Sequence, residues 1–398
     1  MNQKPSKSKR IFISACEHSA EQHCANLIAA TEKQLSALCK KDKANAPAPS
    51  IEWVGLGGDK MAAAGCKLLA NPVQKAAMLY NVFKQLGYYR RLIRLAAQYL
   101  AENPVDLVVV CDSPAFNFHI AKAARRLGIP VLFYVAPQLW AWAPWRIGKL
   151  RRCCTKLACI LPFEEEWFRA RGVDATYVRN PLFDELDDTI QDNTKSYSAY
   201  RPDAPRIALL PGSRDAEIHT LWPPMLKVAA LIKERHPQAT FTACAADKEK
   251  LAALQNSAPN SPEITYTVGR AYHTAKTSDF ALVASGSVTL QIAAAGCPMA
   301  ILYQSNKYLW HLIGRWLVRA RHLSLVNILA DHELVPEYMP YFGPVEPIAE
   351  TCGELLRNPR KLSQLSRSLT DLVRPLTTSR ASDNTAGIIL NMIWQSGN

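Results

Sequence analysis

Short, unbroken apolar runs rich in β-branched residues recur along this chain, and stretches of helical spacing separate them. The runs fall at residues 10–15, 51–54, 106–110 and 131–135, then at 206–210, 240–245, 280–284 and 299–303. A strand with no polar alternate residue is buried on both faces, so the pattern implies parallel sheets covered by helices on either side. Helical spacing occupies 20–39, most of 73–100 and 120–127. It returns at 221–235, 248–255 and 288–295, and from 346 onward. At 398 residues the chain is long for one hydrophobic core. The acidic, turn-rich stretch 184–205, "DELDDTIQDNTKSYSAYRPDAP", marks the boundary. The sequence therefore predicts an α/β protein of two doubly wound, Rossmann-like domains facing a cleft. The first spans 1–185, a linker 186–205, and the second 206–370. Residues 371–398 form a C-terminal helix free to return to the first domain.

Several classes lose support on composition and motif. Lysine and arginine outnumber aspartate and glutamate by 47 to 34, a net charge of +13. That balance suits nucleic acid, an anionic membrane surface or phosphorylated substrates without choosing among them. The basic residues are dispersed and no nucleic-acid recognition motif occurs, so a nucleic-acid partner is disfavoured. Eleven cysteines without any C-x-x-C argue for reduced thiols rather than a zinc site or disulfide framework. The apolar run after the basic N-terminus, 11–16, is too short for a signal peptide. The uncharged stretch 280–306 is cut by Ser285-Gly286-Ser287 and by Gly296-Cys297-Pro298, so it reads as strand, helix and strand rather than a membrane span. No G-x-x-x-x-G-K-[ST] and no G-x-G-x-x-G after a strand is present; Gly55-Leu56-Gly57-Gly58 reads as a structural turn.

Two loops remain that fit an anion. In "IALLPGSRDAEI", Gly212-Ser213-Arg214 follows a strand and opens a helix; Ser285-Gly286-Ser287 does the same later. Small residues at such turns leave helix N–H groups open to phosphate. An arginine at the positive end of a helix is disfavoured unless an anion joins it there; the alternative is a solvated loop arginine. Both loops in one domain, with Arg214 between them, favour a diphosphate.

The motifs "ALLPGSRDAEI", "ASGSVTLQIAAAGCPMAILY" and "SLVNILADHELVPE" resemble the second-domain motifs of lipid-A-disaccharide synthases. "CDSPAFNFHIAKAARRLGIPVLFYVAPQLWAWAPWRIGKL" and "LPFEEEWF" are similar to their first-domain motifs, in the same order. "SACEHSAEQHCANLI" aligns with a G-E-x-S-G-D segment of that family. The resemblance covers essentially the whole chain. It implies an inverting GT-B glycosyltransferase that joins UDP-2,3-diacylglucosamine to 2,3-diacylglucosamine 1-phosphate, forming a β(1→6) disaccharide and releasing UDP. The implied location is the cytoplasmic face of the inner membrane, as a peripheral protein on its anionic surface, with neither metal nor cofactor.

The resemblance also assigns roles. Asp112 matches the essential aspartate and would be the base; a helix N-cap is the competing reading. Arg214 would hold the diphosphate and stabilise the departing UDP, with Gly212, Ser213, Ser285, Gly286 and Ser287 beside it. Gln291 stands in place of a glutamate suited to the nucleotide ribose, or is an amide on a partly buried helix face. Asn327 and Glu333 are placed near the nucleotide base, Glu333 being equally readable as a solvated carboxylate. Glu17, Ser19, Trp140 and Trp142 would lie on the acceptor side. Trp140, Trp142 and Trp145 could face sugar rings or acyl chains, or simply cap the core. "FKQLGYYRRLIRL" (83–95) and "KYLWHLIGRWLVRARHLSL" (307–325) read as basic amphipathic helices suited to an anionic bilayer, or as solvated helix faces.

The chain departs from the family pattern mainly in its first domain. G-E-x-S-G-D reads Cys16-Glu17-His18-Ser19-Ala20-Glu21, Ala115 replaces a second aspartate, and Arg179-Asn180-Pro181 replaces Gly-His-Pro. Cys16 and Ala20 are expected to add bulk where a glycine admits a sugar. Two rival readings follow: a related GT-B transferase using another acceptor, and a non-catalytic member that binds UDP-sugar or membrane.

Overall fold

A computed structural model describes residues 8–41, 49–73, 82–186, 193–257, 263–305 and 321–394, with side chains 41 and 82–86 outside that description. The chain divides into two compact units, one of residues 1–185 and 379–398, the other of 186–378.

The first unit is built on seven parallel strands: β1 (Ser8–Ser14), β2 (Ser50–Leu56), β3 (Lys67–Ala70), β4 (Leu107–Cys111), β5 (Val131–Tyr134), β6 (Lys156–Cys159) and β7 (Ala175–Tyr177). Their order is β3-β2-β1-β4-β5-β6-β7, so the winding reverses between β1 and β4, which pair with Ile11 beside Leu107. Each central strand serves two cores. Phe12, Val108, Val110 and Phe133 pack on one face, and Ile11, Ile13, Leu107, Val109 and Leu132 on the other. Such double burial is why these strands read as continuous apolar runs.

Helix His18–Lys41 covers the second of these faces together with Ala381–Trp394, whose Ala386, Ile389 and Ile393 enter the same core. The Asp184 carboxylate accepts from the N–H groups of Ala381 and Ser382, both at 2.8 Å, and so caps that last helix. The helix Val82–Glu102 turns Leu92, Ala96 and Leu100 to the sheet and Arg90, Arg91 and Arg94 outward. Within 83–95 Leu92 thus packs on the core and Tyr88 is half-buried, whereas Leu95 stays exposed beside the arginines. The companion segment at 307–325 lies outside the described residues as far as 320, as does the expected start of the helix at 74–81.

The second unit holds six parallel strands: β8 (Arg206–Leu210), β9 (Thr240–Ala245), β10 (Ile264–Val268), β11 (Phe280–Ala284), β12 (Met299–Leu302) and β13 (Glu337–Tyr338). The order β10-β9-β8-β11-β12-β13 reverses between β8 and β11. The stretch 280–302 is strand, helix and strand, and no helix among the described residues is long and apolar enough to cross a membrane.

The segment 193–205, expected to be linker, is instead packed onto this unit. Asn193 donates to Tyr272 Oη at 2.7 Å and to the Ala294 carbonyl at 2.9 Å, Lys195 Nζ reaches the carbonyls of Ala275 and Ser278, and Tyr197 Oη donates to Asp279 O at 2.5 Å. Its polar residues look like linker in sequence because their partners, mostly main-chain carbonyls, lie far along the chain. At the other end, residues 371–378 stay with the second unit and 379–398 belong to the first.

Candidate functional site

Ligands of doubly wound sheets bind beyond the carboxyl ends of the strands where the winding reverses. In the second unit that point lies between β8 and β11, and an open pocket of about 340 Å³ occupies it. Gly212, Ser213, Arg214, Ser285, Gly286, Ser287 and Gln291 all line it. Gly212 carries φ +112°, a conformation that favours glycine. Arg214 is the N-cap of the helix Asp215–Arg235 rather than part of its first turn, in extended conformation. Its guanidinium is 76% exposed and pairs with Glu217 Oε1 at 2.9 Å. The other oxygen of Glu217 accepts from the backbone N–H groups of Ser213 and Arg214 at 3.1 and 3.2 Å. The arginine at a helix start thus already has an anion beside it, supplied one turn along the same helix.

Sequence reasoning missed Glu217, although its position three residues after the N-cap is the spacing of a capping box. It also missed the neutral wall formed by Cys244, Ala245, Ala246, Gly269 and Ala271, small uncharged residues that nothing singles out in the sequence.

Two residues assigned to the nucleotide lie elsewhere. Asn327 is fully buried. Its amide donates to Val335 O and Glu337 Oε2, both at 2.9 Å, and its carbonyl accepts from Leu334 and Val335 N–H at 2.9 and 3.1 Å. Two donors and two acceptor positions are the whole capacity of a carboxamide. Asn327 therefore folds the 327–335 turn and has nothing left for a base. Glu333 is exposed in that turn and does not line the pocket.

The first unit gathers a second group at its own reversal point, between β1 and β4. Asp112 and Ser113 follow β4 with φ +50° and +41°, both left-handed. The helix after them starts at Pro114 with Ser113 as its N-cap, so Asp112 is not the cap. Ser113 Oγ donates to Glu17 Oε1 at 3.0 Å, which brings the ends of β1 and β4 together. Ser19 is exposed in the first turn of its helix. Val135 after β5 and Arg179 after β7 are also left-handed, at φ +65° and +77°. Four of the six non-glycine residues with positive φ among those described thus sit along one edge, the pattern expected where backbone strain is kept for function.

The departures from the family pattern take a physical form here. Cys16 and Ala20 point into the cores and are buried, so their bulk is absorbed by packing rather than set in the way of a ligand. Burial, with Glu17 and Asp112 nearby, pushes the Cys16 thiol far above its ordinary range, leaving an inert thiol. Glu21 is buried, and its Oε1 accepts the Lys60 N–H at 2.8 Å. A Cβ on Gly58 would meet that carboxylate at 2.3 Å, so the glycine turn there is structural. Arg179 lies over Tyr177, 4.8 Å from its ring centre, and takes a backbone shape that suits the family's glycine.

Of the tryptophans, Trp140 is an anchor. Its Nε1 donates to the buried Glu164 at 2.9 Å and its ring meets Phe163 edge-on at 4.9 Å. Trp142 and Trp145 are 38% and 61% exposed. Among the described residues no group of three His, Cys, Asp or Glu could hold a metal ion.

Two parallel α/β sheets of this winding define the GT-B class. The structure resembles the co-structure of Staphylococcus aureus MnaA with UDP (TM-score 0.58, 14% identity, covering 97% of this chain and 96% of that one). It resembles the glycotransferase of kitacinnamycin equally well (TM-score 0.58, 11% identity, covering 98% and 100%). At these identities the likeness concerns the fold. Sequence goes further: the lipid-A-disaccharide synthetase family matches residues 11–389. The lipid-A-disaccharide synthase of Geobacter sulfurreducens is 31% identical over 97% of this chain and 98% of its own. That of Syntrophus aciditrophicus is 32% identical over 98% and 99%. The chain belongs to the lipid-A-disaccharide synthetase family.

Proposed function

We propose that the chain makes lipid A disaccharide 1-phosphate from UDP-2,3-diacylglucosamine and 2,3-diacylglucosamine 1-phosphate, releasing UDP. The observation that carries the donor half is the pocket at the β8–β11 reversal, where Arg214 and two small-residue loops converge. The diphosphate lies against Ser213, Arg214, Ser285 and Ser287. Uridine lies toward the neutral wall of Cys244, Ala245, Ala246, Gly269 and Ala271, with Gln291 able to donate and accept at the ribose. The acceptor hydroxyl attacks the anomeric carbon as the bond from that carbon to the phosphate oxygen breaks, so configuration inverts. Asp112 takes the hydroxyl proton, and Arg214 with the loop N–H groups stabilises the charge that develops on UDP. Glu17, Ser19 and Trp142 are placed with the acceptor, whereas Trp140 supports the loop that carries Trp142.

Acylated substrates put the reaction at a membrane surface. Residues 113–163 carry eight lysines and arginines and no aspartate or glutamate. Lys122, Arg125, Arg126, Arg151 and Arg152 are exposed there, as are Arg90, Arg91 and Arg94 on the helix before them. This face attracts an anionic bilayer by charge, with the exposed Trp142 and Trp145 suited to its interface.

A coupling assay tests the reading. Wild-type protein given both substrates should yield disaccharide by mass spectrometry, and Asp112→Asn should be slower by about two to four orders of magnitude. Absence of disaccharide from a protein that still binds UDP would favour a different acceptor.

A further inference from the structure

The donor pocket contains its own anion. Glu217 is only 15% exposed, and both of its oxygens are engaged with groups that the pocket offers to phosphate: the N–H groups of Ser213 and Arg214, and the Arg214 guanidinium. The loop is shaped around this carboxylate. A Cβ at residue 212 would lie 2.5 Å from Glu217 Oε2, so Gly212 makes room for Glu217 as well as permitting φ +112°. Each of the two backbone N–H groups has one hydrogen to give, and the guanidinium N–H turned to Glu217 is taken as well, so these engaged donors cannot serve a carboxylate and a diphosphate at once.

We infer that Glu217 is a built-in competitor for the donor diphosphate, which enters by displacing it and which it thereby selects. The inference rests on this pocket being the UDP-sugar site. A tethered side chain presents its charge at a high effective concentration, so a ligand gains entry only by offering more than one carboxylate offers. Free carboxylates and other single charges do not; a diphosphate does, because each added charge strengthens the hydrogen bonds from the guanidinium and the amides. Displacement also frees Arg214, whose partner until then is Glu217, to follow the departing UDP. The pocket closes again on its own carboxylate when UDP leaves.

A side chain that merely caps the helix predicts the reverse behaviour on removal: a looser loop and weaker binding. UDP titration calorimetry on the full chain, with thermal melting of the unliganded protein, separates the two. Glu217→Gln and Glu217→Ala are both measured, the alanine because an amide oxygen still reaches the loop N–H groups. The expected result is UDP affinity raised by about tenfold or more in variants whose unliganded form melts lower than wild type. Binding of UDP that is unchanged or weaker in folded variants would overturn the inference while leaving the donor site standing. Failure of wild type and both variants alike to bind UDP would instead remove the site on which the inference rests.

Discussion

Asn117 Nδ2 donates to the carbonyl oxygen of Asp112 at 2.8 Å and to that of Cys111 at 2.9 Å, while Asn117 Oδ1 accepts from Ser14 Oγ at 2.9 Å. One fully buried carboxamide thus ties the end of β4 to β1 and holds the two-residue left-handed turn of Asp112 and Ser113. Left-handed backbone costs about 1–2 kcal/mol per residue, so the turn persists because its surroundings hold it. It lies five residues before Asn117, on the first turn of the helix Pro114–Arg126.

Removing that carboxamide should release the turn. Asn117→Ala leaves two buried carbonyls and one hydroxyl without their partner, a loss of about 2–4 kcal/mol in urea unfolding. Activity should fall further than stability alone accounts for, because Asp112 is no longer held, while UDP affinity in the other unit stays unchanged. Asn117→Asp should be as harmful, since it turns an acceptor toward two carbonyls. A variant with full turnover would show that the turn is fixed by other contacts.

Arg214 should not be replaceable by lysine. A guanidinium presents a planar fork of donors to a phosphate, whereas an ammonium is a point charge on a flexible stem. Arg214→Lys should weaken UDP binding by about tenfold and Arg214→Ala by more, with no change in melting temperature beyond a degree or two. The exposed pair with Glu217 contributes little to stability. Calorimetric titration with UDP measures the first effect and thermal unfolding the second.

The central strands and the two glycine-serine loops of the second unit were legible in the sequence because each is a local pattern, whereas the reversal points depend on the order of strands distant in the chain and were not. Unbroken apolar runs give buried strands, and a glycine-serine turn after a strand gives a loop with open N–H groups. β3, β6, β7 and β10 escaped notice because they are three to five residues long and several are only partly buried. The helix Asp215–Arg235, expected over 221–235, begins six residues earlier, directly after Arg214. Asn327 was assigned to the nucleotide through the family resemblance of its motif. Its five hydrogen bonds, four of them to residues seven to ten positions on, depend on how the 327–335 turn folds and leave no local sign. The linker at 193–205 failed the same way, through contacts distant in sequence.

Membrane attraction through the basic face should be electrostatic. Binding to vesicles containing anionic lipid should fall steeply as salt is raised, because exposed charges are screened within about 8–10 Å near physiological ionic strength. Each basic residue near the surface contributes about 1 kcal/mol, so reversing Arg90, Arg91 and Arg94 to glutamate should lower vesicle binding by tenfold or more. Co-sedimentation measures both effects. Equal binding to neutral vesicles would point instead to Trp142 and Trp145.

Glu164 gives the fold a pH dependence of known sign. Its Oε2 accepts from the Ile160 and Leu161 N–H groups, both at 3.0 Å, and its Oε1 from Trp140 Nε1. Complete burial nonetheless outweighs these donors and raises its pKa from 4.5 to about 7. A carboxyl that binds its proton more tightly when folded contributes stability that is complete below pH 4.5 and is lost as pH rises through about 7. The shift corresponds to about 3 kcal/mol. Glu164→Gln, which cannot titrate, should flatten the stability profile between pH 4.5 and 7 by that amount, whatever it does to stability at one pH. Urea unfolding at several pH values measures the slope. A variant as steep as wild type would place the pH dependence on other groups, such as Asp184 and Glu185, which burial also raises.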